Sequence, residues 1–81
     1  MILQKPITTE KAIKMLEAEN KILFEVDVRT SKQDIKKEFE EKFDAKIESI
    51  NTQIRKNKKI AFIKLKKEYP AIDIATKLGF M

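Results

Sequence analysis

Between residues 55 and 67 the chain carries seven basic residues, Arg55, Lys56, Lys58, Lys59, Lys64, Lys66 and Lys67, and no acidic one. A lysine ammonium is a compact point charge that neutralises phosphate, and each such contact releases counterions from a polyanion. The rest of the chain does not share the bias, since residues 1–54 hold ten basic and eleven acidic side chains. A positive surplus confined to one short segment is the footprint of a polyanion-binding surface. The competing reading is a solvated edge strand whose lysines discourage aggregation.

Other residues could add to such a surface. Asn51, Thr52 and Gln53 place three uncharged polar side chains inside an isoleucine-rich segment, where they could bond ribose hydroxyls, phosphates or base edges, or simply form the wet face of a strand. Phe62 shares the parity of Lys64 and Lys66 and could stack a base or pack beneath a terminal segment. Lys5, Thr8, Thr9 and Lys11 cluster where a helix begins, a place that favours anions through its free N–H groups, although capping alone also explains the threonines. The paired rings and glycines of an RNA-recognition motif are absent from residues 59–65, which disfavours sequence-specific reading of single strands.

Catalysis finds little support. Cysteine and histidine are both absent, which removes thiolate nucleophiles, disulfides and zinc-thiolate sites and leaves triad chemistry without its usual base. Asp27, Asp34, Asp44 and Asp73 fall in different elements, and no spacing forces two carboxylates together. The single glycine excludes a loop that cradles phosphate with successive backbone N–H groups. An acylphosphatase-like enzyme would need such a loop near residues 3–9. No cofactor or small-molecule substrate is expected. No run of about 18 apolar residues occurs, and residues 1–5 lead into a proline rather than a signal-type apolar region, so a soluble cytoplasmic protein is expected.

The elements that would hold these residues follow from periodicity. Pro6 keeps Lys5 extended, so the first residues enter as an arm or short strand. Thr8 or Thr9 caps a helix over residues 9–18 with Ala12, Ile13 and Leu16 on one face, and Asn20 closes the turn. Residues 21–28 alternate, with Ile22, Phe24, Val26 and Val28 on one parity. Two overlapping capping boxes, Thr30 with Gln33 and Ser31 with Asp34, open a second helix to residue 43 along an Ile35, Phe39, Phe43 stripe. A strand over residues 46–56 breaks parity near Glu48-Ser49, so either a bulge sits there or the parity is set only from Ile50 onward. A turn at Asn57-Lys58 leads to a strand over residues 59–66 with Ala61, Ile63 and Leu65 inward, and Pro70 opens a last helix ended by Gly79. The order predicts an α+β fold: a split β-α-β-like antiparallel sheet of three to four strands, helices packed on one face and the other face open, in a single domain spanning residues 1–81.

Three segments, Lys5-Pro6-Ile7-Thr8-Thr9-Glu10-Lys11-Ala12, Lys32-Gln33-Asp34-Ile35-Lys36 and Ile50-Asn51-Thr52, resemble those of the universal large-subunit ribosomal protein twenty-three family. The closing Lys77-Leu78-Gly79-Phe80 is similar to archaeal members. The resemblance spans nearly the whole chain, and the order of the pieces is more specific than any one of them. It implies a structural constituent of the ribosome, in the cytoplasm, bound to large-subunit rRNA beside the exit of the nascent-chain tunnel and to neighbouring ribosomal proteins. It also implies that Thr9 and Glu10, at the start of the first helix, form a docking point for the signal recognition particle or other exit-site factors. Bacterial members carry a long basic extension between the second and third strands that reaches into the tunnel. Here residues 55–59 leave room only for a tight turn, which with the final helix points to the archaeal form.

The expected RNA-binding set is therefore Lys5, Thr8, Lys11, Asn51, Thr52, Gln53, Arg55, Lys56, Lys58, Lys59, Lys64 and Lys66, with no metal and no membrane partner. The alternative is a free-standing basic protein-interaction or general RNA-binding module.

Overall fold

A computed structural model describes residues 3–78. The elements run β1 (Leu3–Pro6), α1 (Glu10–Glu19), β2 (Lys21–Val26), α2 (Lys32–Phe43), β3 (Ile47–Arg55), β4 (Lys58–Leu65) and α3 (Ala71–Leu78). The four strands form one sheet in the order β1-β2-β4-β3, and every neighbouring pair is antiparallel. Strands β2 and β3, joined through α2, are thus parallel to each other with β4 inserted between them, which is the expected split β-α-β arrangement. The leading arm is strand β1, which completes the sheet beside β2.

Local chemistry sets the boundaries. The Thr9 hydroxyl accepts the Ala12 N–H at 3.2 Å and Ser31 accepts that of Asp34 at 3.2 Å, so each helix opens on a side-chain cap. Of the two overlapping boxes, the second supplies the cap, and Thr30 is buried just ahead of it. Asn20 and Asp44 close α1 and α2 in the left-handed region, at φ 56° and 51°, a conformation that Asn and Asp tolerate better than most residues. The hairpin turn is Lys56-Asn57, with φ 48° and 65°. Two successive positive φ angles make a type I′ turn, whose twist matches that of the strands. The turn thus lies one residue earlier than the sequence suggests, and Lys58 belongs to β4. Strand β2 ends at Val26 rather than Val28, which is 42% exposed. The anticipated parity break is real, because the β3–β4 register shifts between Ile47 and Ser49. There the Glu40 carboxylate accepts the Ile47 N–H at 2.9 Å and ties α2 to the irregular strand start. The expected stop at Gly79 lies outside the described residues.

The core lies between the helices and one face of the sheet. Ile22, Phe24 and Val26 of β2 and Ala61, Ile63 and Leu65 of β4 meet Leu16 of α1, the Ile35, Phe39, Phe43 stripe of α2, and Ala71, Ile74 and Ala75 of α3. Phe39 packs edge-on against Phe24, centroids 6.1 Å apart at 76°, and lies 4.8 Å from Phe43, the geometry that aromatic quadrupoles favour. Because all three helices feed this one cluster, the opposite face of the sheet is left uncovered by them.

Candidate nucleic-acid interface

Strand parity and register determine what the uncovered face displays. Lys21, Leu23 and Glu25 of β2 stand opposite Lys64, Phe62 and Ile60 of β4. The same β4 residues stand opposite Ser49, Asn51 and Gln53 of β3, and Arg55 stands opposite Lys58 beside the turn. Lys5 of β1 joins this face opposite Glu25. The surface is therefore a plate in which half-buried Leu23, Phe62 and Ile60 are bordered by amide side chains along β3 and by cations at both ends. With strands about 4.8 Å apart, Lys5 and Gln53 lie on one row three strands across, roughly 14 Å.

The structure brings together Lys5, Asn51, Gln53, Arg55, Lys58 and Lys64 on this face. Lys56 projects from the turn at its edge, exposed. Lys66 follows the end of β4, where its backbone N–H reaches the Lys46 carbonyl at 3.2 Å. Thr8, Thr9, Glu10 and Lys11 form a separate exposed group at the start of α1, near β1. Two expected residues stand elsewhere. Thr52 pairs with Ala61 and Lys59 with Val26 and Ile54, so both carry helix-side parity. The Lys59 ammonium turns to the Thr30 carbonyl and donates to it.

The field of the plate is mixed at one point. Glu25 lies within 3.7 Å of the Lys58 ammonium, an exposed pairing worth at most about 1 kcal/mol, so Lys58 can exchange it for a phosphate. Nearby, the Arg29 backbone N–H and guanidinium bond the Asp27 carboxylate at 2.8 and 3.4 Å and hold that carboxyl below its ordinary pKa. Arg29, beside the Asn57-Lys58 end of the hairpin across an open hollow, is a basic residue that the linear charge count does not single out. Lys21 is another. Its parity with Leu23 and Glu25 was the available signal, although its ammonium is engaged with Glu19 at 3.2 Å.

Among the described residues, no group of three or more acidic side chains is placed to hold a metal ion, and no helix is long and apolar enough to cross a membrane. The plate offers charge, hydrogen-bonding amides and apolar surface on one face.

Residues 1–73 match the sequence model of the family described as Ribosomal protein L23. The chain belongs to that family. It is 43% identical over 79 residues to the large ribosomal subunit protein uL23 of Methanothermobacter thermautotrophicus, an alignment covering 96% of this chain and 92% of the relative. It is equally similar, 43% over 79 residues with the same coverage, to the large ribosomal subunit protein uL23 of Methanococcus aeolicus. Both relatives are archaeal, in keeping with the short hairpin. As a member of the L23 family, the chain is a structural, non-enzymatic constituent of the large subunit and works in the cytoplasm within the ribosome.

Proposed function

We propose that the chain is a single RNA-binding domain that clamps large-subunit rRNA against the uncovered sheet face near the polypeptide tunnel exit. The observation that carries the reading is the gathering of Lys5, Arg55, Lys58 and Lys64 with Asn51 and Gln53 on the one sheet face that the helices leave free. Lysines there neutralise phosphates, and the amides of β3 meet ribose hydroxyls, so the shape of a folded RNA is recognised rather than its sequence. Lys56 and Lys66 extend the contact beyond the two ends of the sheet. Thr8 and Lys11 add a second phosphate contact at the start of α1, where free helix N–H groups favour anions.

Neighbouring ribosomal proteins and exit-site factors such as the signal recognition particle complete the partners. Thr9 and Glu10 serve as their docking point. Support for this part is positional: the start of α1 is exposed, and among the described residues Glu10 pairs only with Lys14 of its own helix at 3.7 Å, which leaves the carboxylate exchangeable.

The test is binding of the purified chain to large-subunit rRNA fragments and to an unrelated structured RNA of equal length. Preference for the ribosomal fragment, lost in a Lys58→Glu, Lys64→Glu double variant, supports the reading. Equal binding to both RNAs would remove it in favour of a general basic RNA-binding module. In parallel, Glu10→Lys should weaken association of exit-site factors with reconstituted subunits while leaving rRNA binding in place.

A further inference from the structure

Between the end of β2 and the hairpin turn lies an open hollow of about 380 Å³, lined by Glu25, Asp27, Val28, Arg29, Asn57 and Lys58. That volume falls within the roughly 300–1,000 Å³ of small-ligand sites. Two carboxylates stand there beside two cations. The hollow adjoins the uncovered sheet face, because Glu25 and Lys58 both belong to that face.

Glu25 is the residue that phosphate binding alone leaves unexplained, since a carboxylate on a surface that meets phosphates repels them. Among the described residues its one ion pair is with Lys58, at 3.7 Å. That separation is beyond hydrogen-bonding distance, so both carboxylate oxygens keep lone pairs for other donors. Once Lys58 turns to a phosphate, Glu25 is left without a cation. Asp27 differs, because its Oδ1 accepts both the backbone N–H and the Nε–H of Arg29 at 2.8 and 3.4 Å. Those bonds tether a guanidinium whose side chain is 87% exposed, so a planar cation stands beside the hollow with most of its surface free for stacking. Val28, 42% exposed, adds apolar surface.

Together these groups suit a ligand with a donor-bearing edge, a flat ring and an anion. Guanine is the base with two adjacent donors, N1–H and the N2 amine, on its Watson–Crick edge, a match for the two oxygens of one carboxylate. The edges of adenine, cytosine and uracil each set an acceptor beside their only donor, and a carboxylate repels it. From this juxtaposition we infer that the hollow takes one unpaired guanine of the bound rRNA: Glu25 accepts from N1–H and the N2 amine, the ring stacks on the Arg29 guanidinium, and Lys58 holds the adjoining phosphate. Asp27 is a positioning residue that fixes Arg29. The inference rests on the reading of the sheet face as an rRNA surface, and it adds one base-specific contact to a face that otherwise recognises shape. A free phosphate would face two carboxylates. A peptide arginine suits Glu25 but would meet Arg29 and Lys58 with like charge.

The probes are four single-stranded uridine pentaribonucleotides with guanosine, adenosine, cytidine or inosine at the centre, added to the full chain and followed by amide NMR. Inosine keeps N1–H and lacks the amine. The guanosine pentamer should shift the amide signals of Glu25, Asp27, Arg29, Asn57 and Lys58, and should bind about tenfold more tightly than each of the others, as one bidentate contact implies. Glu25→Gln should abolish that preference while strengthening binding of the other three pentamers, because a negative charge leaves the surface. A carboxylate that only offset nearby lysines would, on removal, strengthen all four alike. Arg29→Lys keeps the charge and loses the plane, and should weaken the guanosine pentamer about fivefold or more, with the circular-dichroism spectrum of both variants unchanged. Equal affinity for the four pentamers, shifts confined to Asn51, Gln53 and Lys64, a guanosine preference that survives in Glu25→Gln, or stronger shifts of the same amides by a capped arginine tripeptide would each overturn the inference. An rRNA fragment that binds through Lys58 and Lys64 while the pentamers are not discriminated would remove the guanine site and leave the sheet-face reading standing. Discrimination among the pentamers without preference for the rRNA fragment would do the reverse.

Discussion

The side-chain oxygen of Asn20 accepts the backbone N–H of Ala71 at 2.6 Å, across fifty-one positions of sequence. Ala71 is the first residue of α3, and the residue before it, Pro70, has no side-chain acceptor with which to cap the helix. Asn20 supplies the cap from the end of α1. Its amide nitrogen meanwhile donates to the carbonyls of Leu65, Lys66 and Tyr69 at 3.1, 3.2 and 3.3 Å, so one side chain fastens α1, the end of β4 and the start of α3. Asn20→Ala should cost about 2–5 kcal/mol in urea unfolding, combining the left-handed backbone penalty with a buried N–H left unmatched. Asn20→Gly should cost less, because glycine keeps the φ of 56° at no steric penalty. Equal losses would mean that the backbone conformation contributes nothing.

Phe39 has no exposed surface and packs against the rings of Phe24 and Phe43. Phe39→Ala should destabilise by about 3–5 kcal/mol, a large share of the roughly 5–15 kcal/mol typical of small domains. Phe39→Leu should lose much less. Calorimetry distinguishes the two, and a Phe39→Ala midpoint close to that of the unaltered chain would refute the packing account.

Lys59 should behave as a structural residue. Its ammonium holds the Thr30 carbonyl just ahead of α2, a charged hydrogen bond worth about 1.5–3 kcal/mol. Lys59→Met should lower stability within that range and leave the salt dependence of RNA binding nearly unchanged, whereas Lys58→Met should do the reverse. Parallel denaturation and binding titrations of both variants decide the matter.

Asp27 accepts from Arg29 twice and is held below the ordinary aspartate pKa by that backbone bond first and the guanidinium second. A carboxyl whose folded pKa is depressed lends stability above its unfolded pKa and loses it as pH falls through the folded value. The carboxyl carbon of Asp27 should therefore titrate below the usual aspartate midpoint by NMR. Arg29→Ala should move the midpoint up only part of the way, since the backbone bond remains.

Much of the architecture was legible because burial imposes period two on strands and a four-residue spacing on α2. Ala61, Ile63 and Leu65 point inward as their parity requires, and Ile35, Phe39 and Phe43 are all buried. The same parity held the message for Lys59, which shares the odd positions of Ala61 and Ile63, although charge alone grouped it with Lys58. The turn was displaced by one residue because Asn57 advertises a positive φ while Lys56, which also adopts one, carries no sequence sign of it. The Asn20 to Ala71 bond depends on long-range pairing that no local pattern encodes. The basic segment itself was plain, but only the register of β3 with β4 shows that Arg55, Lys58 and Lys64 share a face with Asn51 and Gln53.

The salt dependence of rRNA affinity tests the central claim most directly. Neutralising one phosphate contact changes the slope of log affinity against log salt by about 0.7–0.9. A Lys58→Gln, Lys64→Gln double variant should therefore flatten that slope by about 1.4–1.8, while Lys32→Gln with Lys36→Gln, beside the helix-covered face, should leave it unchanged. Equal slopes for the unaltered chain and the Lys58, Lys64 variant would contradict the assignment of the uncovered sheet face to RNA.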